Sequence, residues 1–211
     1  SHKVTYGVMR SYCLGDTVDS VMNYPLRTVV IRFMLGLCSA GDVVRLILSQ
    51  QENYAPPFYY SLMNLLGSHD RPRALSLLAG EAEGDEDHEL PRRVLNDEQL
   101  ALGKKRLIEA YRLLAALPGI PCVYYGDECG MRGSADPYCR GTFPWGREDK
   151  ELQALYRELA AMKNGMPALR VGDIRFLEAG RGVVRFVRAG GGQAVECFVS
   201  RSDGQFWIKP V

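Results

Sequence analysis

Three segments of the chain concentrate polar and aromatic side chains that could bind a ligand rich in hydroxyl groups. They are Ser68-His69-Asp70, Gly126-Asp127-Glu128 and the segment 135–145, which contains Asp136, Arg140, Phe143 and Trp145. Carboxylates accept paired hydrogen bonds from neighbouring hydroxyls, arginine donates them, and flat aromatic rings stack on sugar faces. These residue types therefore predict a site for a carbohydrate-like ligand.

The first segment also has structural interpretations. Asp70 could cap the turn at 71–72, and His69 could be a hydrogen-bonded residue in the wall of the site. A Ser–His–Asp triad built from Ser68, His69 and Asp70 is not expected, because consecutive residues point apart whereas a triad needs separated positions that converge.

The other two segments leave further alternatives open. Asp127 and Glu128 are expected to orient loops or to pair with arginine, and Trp145 could belong to the core or form a stacking platform. A metal site from His69, Asp70 and Asp127 is not expected, because no second cluster of ligands is visible. The sequence predicts no other cofactor.

The elements that must position these residues follow from three apolar runs, 20–24, 62–67 and 120–126. Continuous apolar runs are typical of parallel strands that helices cover on both faces. Ligands of such sheets bind beyond the carboxyl ends of the strands, where Asp70 and Asp127 follow.

Helical patterns fill the gaps between these strands. The predicted helices are 28–37, 42–50, about 97–117 and about 148–163. Asn96 and Gln99 form a capping-box pattern before the third of them, and Leu117-Pro118-Gly119 stops it. The fourth is expected to end at Gly165 and Pro167.

From Ala168 onward, short alternating runs are separated by glycines, which predicts an antiparallel meander. The fold class is therefore α/β, with strand–helix units over 1–167 and a β domain that begins in 168–211. The acidic segment 81–89 is expected to be a solvated loop; a calcium loop is the alternative, although its spacing fits no EF-hand.

Composition excludes several classes of protein. Lysine and arginine total 26 and acidic residues 25, so the chain lacks the excess of basic residues that is typical of proteins that bind nucleic acid or an anionic membrane. No apolar run reaches the roughly 18 residues of a membrane span, and residues 1–11 lack a signal-peptide core. Six scattered cysteines predict reduced thiols in a cytoplasmic protein, with a Cys129–Cys139 disulfide as the alternative.

Four motifs carry a resemblance to a known family. They are GDTVDSVMNYPLR (15–27), NLLGSHDRPR (64–73), GKKRLIEAYRLLAALPGIPCVYYGDECGM (103–131) and DPYCRGTFPW (136–145). In order and spacing the chain resembles the C-terminal part of an α-amylase-family glycoside hydrolase, within the neopullulanase, cyclomaltodextrinase and maltogenic amylase group. The region after about residue 170 resembles the start of that family's C-terminal β domain.

The resemblance implies strands six to eight of a (β/α)₈ barrel that cleaves α-1,4 glucosidic bonds with retention, with α-1,6 bonds as an open alternative. It implies that Asp70 binds ring hydroxyls and stabilises the transition state, and that His69 hydrogen-bonds the same sugar. Such bonds lower the barrier when they strengthen at the transition state. It also implies that Asp136 and Arg140 contact the neighbouring glucose of an α-glucan or maltooligosaccharide.

The family's nucleophilic Asp and acid/base Glu precede the region equivalent to Ser1, and residues 1–63 supply no replacement. Retention needs two carboxyl groups about 5–5.5 Å apart, so the isolated chain is expected to be inactive. A non-catalytic maltosaccharide-binding or assembly module is the alternative. Because three parallel strands cannot close a barrel, we expect self-association or a longer polypeptide that covers the open edge.

Overall fold

The computed structural model describes residues 11–14, 17–80 and 95–211. In the first part of the chain, helices alternate with short parallel strands. The helices are α1 (Tyr24–Met34), α2 (Ala40–Asn53), α3 (Pro56–Ser61), α4 (Ala74–Leu78), α5 (Asp97–Ala116), α6 (Lys150–Gly165) and α7 (Pro167–Val171). The strands are β1 (Met63–Leu65) and β2 (Ile120–Cys122), and two 3₁₀ turns cover Asp127–Cys129 and Tyr138–Arg140.

The strands form the parallel sheet that the apolar runs predict, although each strand is short. Strand β1 pairs in parallel with β2, with Asn64 opposite Pro121. Met22 adds a single parallel bridge to Met63 on the other side of β1. The three apolar segments therefore lie side by side in chain order.

The predicted strand 20–24 and helix 28–37 need correction. Strand contact in the first run is confined to the bridge at Met22, and α1 already begins at Tyr24. Asn23 is the reason, because its side chain accepts a hydrogen bond of 3.2 Å from a backbone N–H in the first turn of α1. This cap, followed by a proline, starts a helix where the apolar pattern alone indicated a strand.

A buried network of amide side chains joins the three parallel segments. Asn23 Nδ2 donates to Asn64 Oδ1 at 2.9 Å, and Gln50 Nε2 donates to Asn23 Oδ1 at 2.7 Å. Asn64 Nδ2 donates in turn to the Pro118 carbonyl at 2.7 Å, just before β2. Since buried polar groups need partners, this network fixes the relative position of the segments.

The longer helices follow their sequence signals closely. Helix α5 begins after Asn96, whose side chain accepts from the backbone N–H of Gln99 at 2.8 Å, so the predicted capping box is confirmed. Helix α6 ends at Gly165, as predicted. Helices α3, α4 and α7 are too short to give a periodic pattern and were not predicted.

The predicted meander is confirmed as a four-stranded antiparallel sheet in the order β3-β4-β5-β6, but it begins at Asp173 and not at Ala168, because Pro167 starts helix α7. Its strands are β3 (Asp173–Gly180), β4 (Val183–Gly190), β5 (Gln193–Ser200) and β6 (Phe206–Pro210). The sheet packs on α2, α5 and α7. Apolar residues of both parts, such as Leu113 and Phe186, belong to one continuous hydrophobic cluster.

Two buried cations lie where this sheet meets the C-terminal end of α5. Arg188 Nη1 donates to the Ala116 carbonyl at 2.6 Å, and Lys163 Nζ donates to the carbonyls of Ala115 and Leu117 at 3.1 and 2.7 Å. The last carbonyls of a helix have no partner within the helix and carry partial negative charge. The two cations therefore satisfy the end of α5 and join it to α6 and β4.

One edge of the parallel sheet has no partner strand among the described residues. Strand β2 pairs only with β1 within that part of the chain. Ile120, Val123 and Tyr125, in and just after β2, are 51%, 44% and 41% exposed. The edge thus presents apolar side chains as well as unpaired backbone.

Further predictions concern the acidic segment, the N-terminal residues, the cysteines and membrane-spanning helices. Segment 81–89, with its calcium-loop alternative, and residues 1–10 lie outside the described residues. All six cysteines are described, and none is joined in a disulfide, including Cys129 and Cys139. No described helix is long and apolar enough to cross a membrane.

Candidate functional site

Asp70 lies in an exposed loop beyond the carboxyl end of β1. Its Oδ1 accepts a hydrogen bond of 2.9 Å from the Tyr24 hydroxyl and another from the Ser68 hydroxyl. Partial burial raises the pKa of the Asp70 carboxyl, but the hydrogen bonds from Ser68 and Tyr24, helped by Arg71, outweigh it and the pKa lies below its usual value. Asp70 is therefore an ionised, oriented carboxylate that solvent can reach.

His69 is exposed and lies next to Asp70 in the chain, and its backbone carbonyl binds the loop that follows β2. The His69 carbonyl accepts from Arg140 Nε at 3.0 Å and from Cys139 Sγ at 3.1 Å. The segment that contains Arg140 is thereby held beside the His69–Asp70 pair.

Asp136 and Arg140 form an ion pair on that second segment. Arg140 Nη2 lies 2.7 Å from Asp136 Oδ2, and the two side chains are about half exposed. The Asp136–Pro137 peptide bond is cis. The structure thus brings together the four residues predicted to bind ligand: His69, Asp70, Asp136 and Arg140.

Asp127 occupies a different environment, since it is buried rather than open to a ligand. Its Oδ1 lies 3.2 Å from Nη1 of Arg73, whose side chain is also buried. Burial raises the pKa of the Asp127 carboxyl to about 7, although the charge and hydrogen bond of Arg73 lower it in part. Glu128 accepts a hydrogen bond of 2.7 Å from the Gly126 N–H. The predicted loop-orienting and arginine-pairing roles of these two acids agree with this geometry.

Aromatic side chains are exposed around the loop that follows β2. Trp145 is 80% exposed and lies against Phe143, with ring centroids 4.5 Å apart. Of the two alternatives for Trp145, core packing is therefore wrong. Tyr138 is also exposed, and the Tyr125 hydroxyl donates to the Gly141 carbonyl at 2.7 Å. Exposed rings of this kind could stack on sugar faces.

The Ser68 hydroxyl and the acidic, cysteine and histidine side chains show the following contacts. The Ser68 hydroxyl donates directly to Asp70 and not to His69, which is not the order of a nucleophilic triad. No group of three or more His, Cys, Asp or Glu residues suited to a metal ion occurs within the described residues.

Two contributors to the site were missed in the sequence. Tyr24, from the first segment, orients Asp70, and Arg73 anchors the loop after β2. Arg73 stands three residues after Asp70 in the same motif, which was its only sequence signal. The partners of both residues lie 46 or more positions away along the chain.

Comparison with known proteins places this geometry in a family. The alpha-amylase catalytic domain matches residues 2–168. An amylopullulanase from Thermoanaerobacter thermohydrosulfuricus is 40% identical over 188 residues, covering 83% of this chain and 12% of the relative. A cyclomaltodextrinase from Geobacillus thermopakistaniensis is 33% identical over 194 residues, covering 90% of this chain and 29% of the relative.

A solved structure shows the same architecture. The cyclic α-maltosyl-(1→6)-maltose hydrolase from Arthrobacter globiformis aligns with a TM-score of 0.74 at 29% identity, covering 90% of this chain and 39% of that protein. The chain thus spans well under half of the length of these relatives. The predicted fold class, part of a (β/α)₈ barrel followed by part of an antiparallel β domain, is confirmed.

Proposed function

Because the chain belongs to the alpha-amylase family of glycoside hydrolases, we propose that it carries the sugar-binding part of a retaining α-glucan hydrolase. Its substrate class is maltooligosaccharides or α-glucans joined by α-1,4 bonds, with α-1,6 bonds as a second candidate. The observation that carries the proposal is the ionised, exposed Asp70 beyond β1, held beside the Asp136–Arg140 pair.

Asp70 has the chemistry that binding a glucose ring requires. Tyr24 and Ser68 both bond to Oδ1, and the remaining hydrogen-bonding capacity of the carboxylate suits two adjacent ring hydroxyls. His69 would hydrogen-bond the same ring, and the Asp136–Arg140 pair would bind the neighbouring glucose. Bonds that strengthen as the ring flattens would lower the barrier to cleavage of the glucosidic bond.

The role of Asp70 can be tested in a chimera in which residues 1–167 replace the matching segment of the Geobacillus cyclomaltodextrinase. Asp70→Asn should lower kcat about 10³-fold on maltotriose, because several kcal/mol of transition-state binding are lost. The control is Asp97→Asn, which changes an exposed acid in the first turn of α5. Unchanged kinetics in Asp70→Asn would remove Asp70 from the site.

We propose that the isolated chain is inactive, since the resemblance places the family's nucleophilic Asp and acid/base Glu before the region equivalent to Ser1. Retaining cleavage requires both groups. Purified chain incubated with maltotriose, cyclodextrin and pullulan should release no sugar above the buffer control. Turnover that disappears in Asp70→Ala would show that the chain is catalytically complete.

A second candidate is a non-catalytic maltosaccharide-binding or assembly module. The exposed Asp136–Arg140 pair and the exposed Trp145 favour it, because both could hold a sugar without chemistry. Calorimetric titration with maltoheptaose should give saturable heat that Arg140→Ala removes and Arg147→Ala keeps. No heat up to millimolar sugar would contradict this candidate.

We also propose that the chain associates through its open sheet edge and lies in the cytoplasm. The open edge of β2 and its exposed apolar side chains support self-association, or coverage by further polypeptide. The scattered cysteines support a cytoplasmic location, which fractionation of the producing cells would test.

A further inference from the structure

Arg73 connects the two loops of the candidate site, the first loop after β1 (66–73) and the second loop after β2 (123–145). It directly precedes α4, three residues after Asp70, and its side chain is completely buried. Its Nε donates to the Cys139 carbonyl at 2.8 Å, and Nη1 donates to the Tyr125 carbonyl. Its backbone N–H donates to the Gly133 carbonyl at 2.9 Å. One residue of the first loop thus contacts the second loop at three backbone positions.

The guanidinium is also fixed by charge and by aromatic rings. Nη1 lies 3.2 Å from the Asp127 carboxylate, and the guanidinium carbon lies 4.3 and 4.6 Å from the ring centroids of Tyr124 and Tyr125. Buried arginine contacts of this kind are directional and stronger than neutral hydrogen bonds. A lysine at position 73 would keep the positive charge but would lose the planar set of N–H donors that the guanidinium provides.

The second loop makes return contacts to the first. Cys139, whose carbonyl binds Arg73, donates its thiol to the His69 carbonyl, and Arg140 Nε donates to the same oxygen. The contacts of Arg73 and of His69 therefore converge on the 3₁₀ turn that carries Arg140. A displacement of Arg73 would be transmitted to the Asp136–Arg140 pair.

Another buried arginine in the neighbourhood provides a contrast. Arg27 donates to the carbonyls of Leu66 and Pro72 at 2.8 and 3.4 Å, both of which belong to the segment around β1. These hydrogen bonds stabilise the first loop itself, although the charge of Arg27 also acts on the Asp127 carboxyl. The hydrogen bonds of Arg73 instead fix one loop relative to the other.

We propose that Arg73 is a positioning residue that sets the separation between Asp70 and the Asp136–Arg140 pair, so that the two can bind adjacent glucose units of one α-glucan. The inference rests on the proposed function, because it assigns one glucose to each of the two groups. It predicts two separate effects of Arg73→Lys, one on the contact between the loops and one on sugar binding.

The first experiment measures the loop contact without a sugar. Cys139 is completely buried and depends on the docked loop, whereas Cys197 is completely buried in the antiparallel sheet. Arg73→Lys should speed the reaction of Cys139 with N-ethylmaleimide at least about tenfold and leave Cys197 unchanged, since local opening exposes only the first thiol. Peptide mapping by mass spectrometry separates the cysteines.

Arg27→Lys is the control for the Cys139 labelling rate, because it makes the same change at another buried arginine. Arg27→Lys should leave the Cys139 rate close to that of the wild type. An unchanged Cys139 rate in Arg73→Lys would overturn the proposal. So would an equal rise at Cys139 and Cys197, because general destabilisation would then explain the effect.

The second experiment separates positioning from simple structural support. Calorimetry should show that the wild-type chain binds maltose more tightly than glucose. In Arg73→Lys the ratio of the two affinities should fall about tenfold, while the affinity for glucose stays the same. Equal weakening of both sugars would overturn the positioning role. If the wild-type chain binds neither sugar, the proposed function is contradicted, and so is the assignment of one glucose to each group. The N-ethylmaleimide labelling of Cys139 would still show whether Arg73 holds the two loops together.

Discussion

At the scale of single residues, the site depends on how closely Asp127 approaches β1. A Cβ atom added to Gly67 would lie 3.0 Å from Cγ of Asp127 and closer still to Oδ2. Arg73 holds the Asp127 carboxylate from another side, so the carboxylate has little freedom to move away. Glycine at position 67 therefore makes room for the buried ion pair.

We expect Gly67→Ala to destabilise the chain by about 2 kcal/mol, because overpacking a buried site has a cost of that order. Gly165→Ala is the matched control: no atom lies within 4 Å of its added Cβ, and the change should stabilise by about 0.5 kcal/mol. Urea unfolding of both variants measures the difference. A neutral Gly67→Ala would mean that the Asp127 pair is not confined in this way.

The candidate site residues were predictable because ligands bind beyond the carboxyl ends of parallel strands and because the family resemblance assigns roles to four of them. The rule and the resemblance place His69, Asp70, Asp136 and Arg140 on loops that the structure brings together. Neither of these identifies Arg73, since the carbonyl oxygens that its side chain binds lie 52 and 66 positions away and no local pattern reports them.

At the scale of elements, local capping signals were more informative than apolar runs. The Asn96 capping box predicts the start of α5 correctly, whereas the apolar run 20–24 predicts a strand where α1 begins at Tyr24. Strands β1 and β2 are only three residues long. Strand limits depend on which neighbour offers hydrogen bonds, and a single sequence does not contain that information.

The C-terminal end of α5 provides a pH-dependent test. Burial, together with the nearby Arg188, lowers the pKa of Lys163 to about 7, whereas a lysine in the unfolded chain has a pKa of about 10.4. Between these values the unfolded state binds one more proton than the folded state, so stability rises with pH. Relative to Lys163→Met, the wild type should gain about 2 kcal/mol between pH 7 and pH 9.

Urea midpoints at pH 7, 8 and 9 measure this difference. Lys150→Met, which changes a lysine with a largely exposed side chain at the start of α6, should keep the pH dependence of the wild type. Parallel curves for the wild type and Lys163→Met would show that the Lys163 amine keeps its ordinary pKa in the folded chain.

At the scale of the whole molecule, the two sheets differ in how many strands pair within the described residues. The described part of the parallel sheet consists of β1, β2 and the bridge at Met22, whereas the antiparallel sheet has four strands in sequential order. A barrel of eight strands has no edge, but this arrangement has one. The exposed side chains of Ile120 and Val123 mark it.

We therefore expect the purified chain to associate through this edge. Sedimentation velocity should show dimers or larger species whose fraction grows with concentration, and Val123→Lys should shift the distribution towards monomer, because a charge opposes edge pairing. Val171→Lys is the control, since Val171 is also exposed but lies away from the edge. A compact monomer at all concentrations would contradict the expectation.

The buried cations at the end of α5 also bear on how the chain can be shortened. Arg188 belongs to the antiparallel sheet, yet it donates to the carbonyls of Ala116 and Gly172. An expression clone that stops near residue 172 would remove the guanidinium that binds these oxygens and would uncover the apolar flank of α5. Anyone who trims the protein for crystallisation should keep β3 to β6 attached.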